Sequence, residues 1–171
     1  MTITTWIDAS ESSKRLFAIH PSGDTPSEWE SSGKQAALFM DYLMNKKVGH
    51  VESVLEYGVG TARVLKHIPA TYKRYGVDIA PSYVNECNAL GLDCYLLDDF
   101  DMQVDCVFSL TVFIHLNKVD GTKAMQYCFD HLKPGGTAFL QIPIYDVDHD
   151  PENWTCVGTW CKETFERVCH E

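Results

Sequence analysis

The chain has 171 residues, 45% apolar and 22% charged, the size and composition of one globular domain with an ordinary core. With 14 Lys plus Arg against 24 Asp plus Glu, its formal charge of -10 argues against a broad basic footprint for duplex nucleic acid or an anionic membrane surface. No apolar run approaches the ~20 residues of a membrane span, and Met1–Ser10 lacks the basic start and apolar stretch of a secretory signal, so a cytoplasmic location is expected.

In chain order, residues 1–50 read as an N-terminal cap and helix. Short strands are expected at Thr2–Ile7 and Arg15–Ile19, with turn signals at Pro21 and Pro26. Ala36, Met40, Leu43 and Met44 follow helical spacing and predict a helix over Gly33–Lys47, with Gly49 just past its end. From Val51 the pattern alternates. A strand at Val51–Glu56 runs into Gly58-Val59-Gly60, then a short helix Thr61–Ile68 stopped by Pro69. A second strand, Arg74–Asp78, leads to a helix Pro81–Leu90 closed by Gly91. A third strand is expected at Cys94–Leu97 and a fourth at Val104–Leu110, apolar enough for burial on both faces. A helix from about Asn117 to Leu132 carries the stripe Met125, Cys128, Phe129 and Leu132. Lys133-Pro134-Gly135-Gly136 turns into a fifth strand, Thr137–Pro143. A loop, 144–158, and one helix, Lys162–Cys169, complete the pattern. Strands separated by helices imply βαβ units, hence a mostly parallel sheet.

The seven cysteines form no CxxC pair. Reduced thiols are expected, with Cys94, Cys106 and Cys128 acting as small hydrophobes inside strands or a helix. Cys156, Cys161, Cys169 and His170 match no common zinc spacing, so no metal is expected.

Ligands of an open parallel sheet bind at the carboxyl ends of its strands. Four segments there carry unusual residues. Glu56-Tyr57-Gly58-Val59-Gly60-Thr61-Ala62-Arg63 places a glycine turn between strand and helix, where the backbone can approach a ligand closely. Arg63 stands where a dinucleotide site needs its third glycine, and no Gly-Lys-Ser/Thr follows for a P-loop. Asp78 ends the second strand, and its carboxylate can accept two hydrogen bonds from a ribose diol. Alternatively it stabilises the start of the next helix. Asp98 and Asp99 follow the third strand, where one carboxylate can meet an adenine amino group; a solvated acidic loop is the other reading. Ser109-Leu110-Thr111-Val112-Phe113-Ile114-His115-Leu116 leaves the fourth strand. His115 is either a structural hydrogen-bonding residue or a general base.

In this order and spacing the segments resemble the class I S-adenosylmethionine-dependent methyltransferases over Val51–Pro143. The resemblance rests on Val54-Leu55-Glu56-Tyr57-Gly58-Val59-Gly60-Thr61, Gly76-Val77-Asp78-Ile79-Ala80, Asp105-Cys106-Val107-Phe108-Ser109 and Leu132-Lys133-Pro134-Gly135-Gly136. It implies a three-layer, Rossmann-like α/β sandwich in one domain, with a cap and helix at 1–50, a cofactor-binding core at 51–143 and a C-terminal loop and helix at 144–171. It implies S-adenosylmethionine as cofactor, with Glu56, Tyr57, Gly58 and Gly60 bordering its methionine and ribose. Asp78 would meet the ribose hydroxyls, Ile79 the adenine, and Asp98 or Asp99 the adenine amino group. The backbone at Ser109 and Leu110 would face the sulfonium.

Two departures stand out. Ala62 replaces the family's third glycine and is expected in the first turn of a helix, where alanine is tolerated. The antiparallel hairpin that usually completes the family's sheet is expected to be missing, because only 28 residues follow Pro143. The fifth strand would then be a bare edge, covered by the segment Thr2–Ile7 or by a second copy in a homodimer, or else the chain is shortened. The Asn/Asp-Pro-Pro-aromatic run of DNA amino-methylating enzymes is absent after the fourth strand, so a small-molecule acceptor is expected. Trp29, Phe113, His115, Tyr145 and Trp154 are candidate walls for it, and Lys34 a candidate for the cofactor carboxylate or a solvated lysine. The rival to a methyltransferase is a non-catalytic or truncated domain that binds the cofactor without turnover; a nucleotide-sugar or nicotinamide enzyme is the third reading.

Overall fold

The computed structural model describes Ile7 and residues 25–151 and 158–170. The strands expected at Arg15–Ile19 and, Ile7 apart, at Thr2–Ile7 lie outside these residues, as do Trp154 and Cys156.

Helix α1 spans Pro26–Leu43, starting seven residues earlier than the apolar spacing suggests. Its start is fixed by polar chemistry. Thr25 is the N-cap, accepting from Glu28 N, while Thr25 N donates to the Glu28 carboxylate at 2.8 Å, with Pro26 in the first turn. Gly33, Ala37 and Met40 form its buried stripe. An added Cβ on Gly33 would stand 2.1 Å from the Arg63 carbonyl oxygen, so only glycine lets α1 lie this close to the segment after the first strand.

Strand β1 is Ser53–Tyr57, β2 Lys73–Asp78, β3 Asp93–Leu96, β4 Val104–Ser109 and β5 Leu132–Leu140. They form one parallel sheet in the order β3-β2-β1-β4-β5. Helix α2, Pro81–Ala89, joins β2 to β3, and α3, Lys118–Asp130, joins β4 to β5. Alternate β1 residues enter opposite cores. Val54 packs with Ala37 and Met40 of α1 and Val84 and Cys87 of α2. Leu55 packs with Val77, Val107 and Cys128 of α3. The result is the expected three-layer Rossmann-like sandwich. Cys87, Cys94, Cys106 and Cys128 are buried free thiols within it.

Three expectations are corrected. Thr61–Ile68 is not an α-helix; turns lead to a single 3₁₀ turn at Leu65–His67. Gly60 at φ 52° and Ala62 at φ 56° both bend the chain into the left-handed region, and Leu65 N is captured by the Glu56 carboxylate at 2.9 Å. Ala62 is therefore not in a helical first turn. The fifth strand begins at Leu132, not Thr137, because Pro134-Gly135-Gly136 is an irregularity within β5, where the pairing with β4 shifts between Val104 and Cys106. Proline is accommodated there because β5 is an edge. Finally, the segment after β5 is not only loop. Strand β6, Ile144–Tyr145, pairs parallel with β7, Trp160–Cys161, and α4 follows at Lys162–His170. This pair is a separate small sheet, so among the described residues no strand extends the main sheet beyond β5.

The C-terminal elements are anchored by Trp160. Its ring is fully buried with Phe113, Ala124 and Met125, and Phe165 and Val168 of α4 pack against that cluster. Among the described residues no helix is long and apolar enough to cross a membrane.

Candidate functional site

From β1 the chain moves outward to β2 and β3, then returns to place β4 on the other side of β1. The crevice at the carboxyl ends of β1 and β4 is thus where the strand order reverses, the usual ligand position in an open α/β sheet. The strand ends are bonded to one another there, since Ser109 Oγ donates to the Tyr57 carbonyl at 2.9 Å.

Gly58 makes the first bend at φ 75°, and its N–H donates to the Val77 carbonyl at 2.8 Å. A Cβ there would stand 2.4 Å from Val112 Cγ2, so both backbone angle and space demand glycine. Asp78 ties this turn to the end of β2. Its Oδ2 accepts from Gly60 N at 2.9 Å and its Oδ1 from Ala80 N at 3.0 Å. The carboxyl is raised above its ordinary range by burial, opposed by these backbone donors and by Ile79 N. These three donors leave lone-pair capacity on the carboxylate, so the group is oriented and still able to accept. Thr61 adds a buried hydroxyl with no partner among the described residues.

Glu56 lies beneath the turn, 4% exposed. Burial pushes its carboxyl up to about 8, against the pull of the Arg63 guanidinium and the Leu65 N–H. Tyr57 packs its ring against Tyr127, centroids 5.4 Å apart. Ile79 is half-buried just past β2. Asp98 and Asp99 are both exposed on a 3₁₀ turn after β3, above the buried Phe100. Phe100 belongs to the core, against Tyr75 and Tyr95.

The described candidates for acceptor walls come from three elements: the turn Phe113–His115 after β4, Tyr145 on β6 and Trp29 on α1. Phe113 is fully buried in the Trp160 cluster and offers no surface as it stands. His115, 4% exposed, closes a 3₁₀ turn, Phe113–His115, with its N–H on the Val112 carbonyl at 3.0 Å. Gly158 N donates to the Ile114 carbonyl at 2.7 Å, so the C-terminal segment holds this turn. Tyr145 is 63% exposed on β6. Trp29 sits on α1 with the Lys66 ammonium 5.0 Å from its ring centroid. Lys34 faces Glu30 at 3.8 Å, and Glu30 bonds Lys66 at 2.7 Å.

Thr111 joins the site without having been a candidate from sequence: it lies at φ 64° directly after the Leu110 backbone. Its N–H donates to Gln141 Oε1 at 2.9 Å. No local signal marks this pair, because the partners are 30 residues apart.

The buried Thr61 hydroxyl, the Gly58 turn and the oriented Asp78 carboxylate together suit a nucleoside ligand with a polar tail. Comparison with known proteins agrees. Residues 54–136 match the family model described as "Methyltransferase domain". None of the curated proteins matches the sequence. Among solved structures, the magnesium protoporphyrin IX methyltransferase from Synechocystis PCC 6803 with bound S-adenosylmethionine shares 12% identity. That match covers 98% of this chain and 84% of that one, with TM-score 0.67. A SAM-dependent methyltransferase from Leishmania major has TM-score 0.71 and 13% identity over 98% of this chain and 71% of that one. The plantazolicin methyltransferase BpumL in complex with S-adenosylhomocysteine has TM-score 0.63 and 13% identity over 97% and 72%.

Proposed function

We propose that this chain, whose residues 54–136 match the methyltransferase-domain model, is a class I S-adenosylmethionine-dependent methyltransferase that transfers a methyl group to a small-molecule acceptor. The observation that supports the reading is Asp78: its carboxylate is oriented by Gly60 N and Ala80 N at the crevice where strand order reverses. The cofactor supplies an activated methyl on a sulfonium, so alignment of nucleophile, methyl and sulfur provides much of the rate.

The chain's residues bind and orient. Asp78 accepts the ribose hydroxyls, and Ile79 lies against the adenine. One of the exposed pair Asp98 and Asp99 takes the adenine amino group. Thr61 Oγ1, otherwise unpartnered, and the left-handed Gly58–Gly60 turn hold the methionine end, with Glu56 and Tyr57 beneath. Ser109 and Leu110 border the sulfonium. His115 is buried and secures the turn after β4, so the acceptor's own nucleophilicity carries the reaction. Trp29 and Tyr145 are the acceptor-side candidates. The neighbours act on a protoporphyrin and on plantazolicin, and the acidic charge here favours a small molecule over nucleic acid. The buried free thiols fit a reducing, cytoplasmic compartment.

A second reading, a domain that binds the cofactor without turnover, draws support from the edge of β5, which no strand among the described residues extends. Titration of S-adenosylhomocysteine by calorimetry, alongside Asp78→Ala, tests binding. The expected result is micromolar affinity lost in the variant. A folded wild-type chain that binds nothing would refute the proposal. Binding with no methyl transferred across a broad acceptor panel would favour the second reading.

A further inference from the structure

We propose that Gln141 is a positioning residue for methyl transfer, clamping the Leu110–Thr111 turn from the neighbouring strand so that its backbone keeps a fixed aim into the crevice. The inference rests on the cofactor site assigned above.

Thr111 is the observation that carries it. A β-branched residue at φ 64° is rare, because its Cγ and Oγ crowd the backbone in the left-handed region. Such a conformation persists only where its surroundings over-determine it. Here they do so from three sides. Gln141, just past β5, donates its own N–H to the Ser109 carbonyl at 3.0 Å. Its side-chain Oε1 then accepts from Thr111 N at 2.9 Å. One residue thus bonds the backbone on both sides of Leu110. Thr111 Oγ1 closes onto the Leu110 carbonyl at 2.6 Å. On the far side Val112 packs against Gly58, where it leaves no room for a Cβ. Ser109, at the root of the turn, is bonded to Tyr57 of β1.

The turn is therefore fastened to β5 by Gln141, to β1 by Ser109 and to the glycine turn by Val112. Of these ties, only the Gln141 side chain satisfies the N–H that the left-handed twist of Thr111 turns away from the β4 ladder. Without that acceptor, the strained residue is free to relax to an ordinary extended or helical conformation. The Leu110–Thr111 peptide would then rotate and carry Val112 with it. Displacements of about 1 Å in such a frame reduce a transfer rate on the order of 100-fold.

Three variants separate positioning from bulk stability. Gln141→Leu keeps the shape and removes the acceptor. Gln141→Glu keeps an oxygen acceptor. Thr111→Gly removes the demand, since glycine adopts the left-handed region without strain. The probes are S-adenosylmethionine labelled with carbon-13 at its methyl, followed by NMR and calorimetry, and the melting temperature without ligand. Gln141→Leu is expected to weaken cofactor binding about ten-fold and to move or broaden the bound methyl resonance. Gln141→Glu is expected to keep both close to wild type. In the Gln141→Leu background, Thr111→Gly restores affinity and resonance, a coupling that a merely structural glutamine would not show. A folded Gln141→Leu with wild-type affinity and resonance overturns the clamp. If Gln141→Leu fails to fold, the double variant decides, and its failure to bind also overturns it. Absence of binding by the wild-type chain is a different failure, that of the cofactor site itself.

Discussion

Ala62 occupies φ 56° in the turn after β1, fully buried, at the position where a glycine would cost nothing sterically. Glycine at that site gives up some unfolded-state advantage but relieves a strain of about 1–2 kcal/mol. Ala62→Gly is therefore expected to stabilise the chain by about 0.5–1 kcal/mol in urea unfolding. An unchanged or lower midpoint would show that the alanine methyl contributes more through packing than its backbone loses. Glu56 gives a second residue-level test. Burial raises its carboxyl from the ordinary 4.5 to about 8. An acid with a raised folded value holds its proton more tightly in the native state. Between about 4.5 and 8 the fold thus binds more protons than the unfolded chain, and stability falls as pH rises through that window. Below it this contribution is fully present; above it, it is lost. Glu56→Gln keeps an oxygen to accept from Leu65 N and cannot ionise. Its unfolding free energy should decline less from pH 5 to 8 than that of wild type, and it should be the more stable protein at pH 8. Parallel pH profiles of the two proteins would rule out this account.

At the scale of elements, the capping box at α1 makes the clearest prediction. Thr25 and Glu28 exchange backbone bonds, so Thr25→Ala is expected to cost about 1 kcal/mol, read as a lower urea midpoint. The helix start was also where a stripe-based reading falls short, because Pro26–Ser32 precedes the apolar spacing and is set by polar capping. The sheet strands were legible to within a few residues because apolar runs such as Cys106–Phe108 suit burial on both faces of a sheet. The helix expected after β1 was not, since two left-handed residues and a bond from Glu56, nine positions back, override local propensity there. Pro134-Gly135-Gly136 carries every signal of a turn, yet an edge strand absorbs it as an irregularity. β6 and β7 are two residues each, and their position follows from burial of Trp160 against α3, a tertiary fact with no local period. The candidate site divides the same way. Gly58, Gly60 and Asp78 were readable because strand ends in an α/β sheet are fixed points. Thr111 and Gln141 were not, because only the register of β4 against β5 brings them together.

The molecule as a whole is acidic, with a formal charge of -10, and carboxylates stand at the ends of β2 and β3 on the crevice side of the sheet. Asp98 and Asp99 are exposed at the rim of the sheet after β3, and Asp78 is buried at the end of the neighbouring β2. S-Adenosylmethionine bears a net positive charge through its sulfonium, whereas the demethylated product is neutral overall. An acidic field therefore attracts the donor and releases the product without favour. Such a field is screened by salt, because the Debye length shrinks from about 30 Å at 0.01 M to about 3 Å at 1 M. A surface potential on the order of kT corresponds to roughly a three-fold change in local cation concentration. Raising salt from about 0.02 to 0.5 M should therefore weaken donor binding by roughly two- to five-fold and product binding by much less. Calorimetry with both ligands across that range measures the difference directly, and removing both rim charges as Asp98→Asn with Asp99→Asn should flatten the donor's slope. Equal slopes for donor and product would mean that discrimination between them arises from contacts at the sulfonium and not from the charge of the chain.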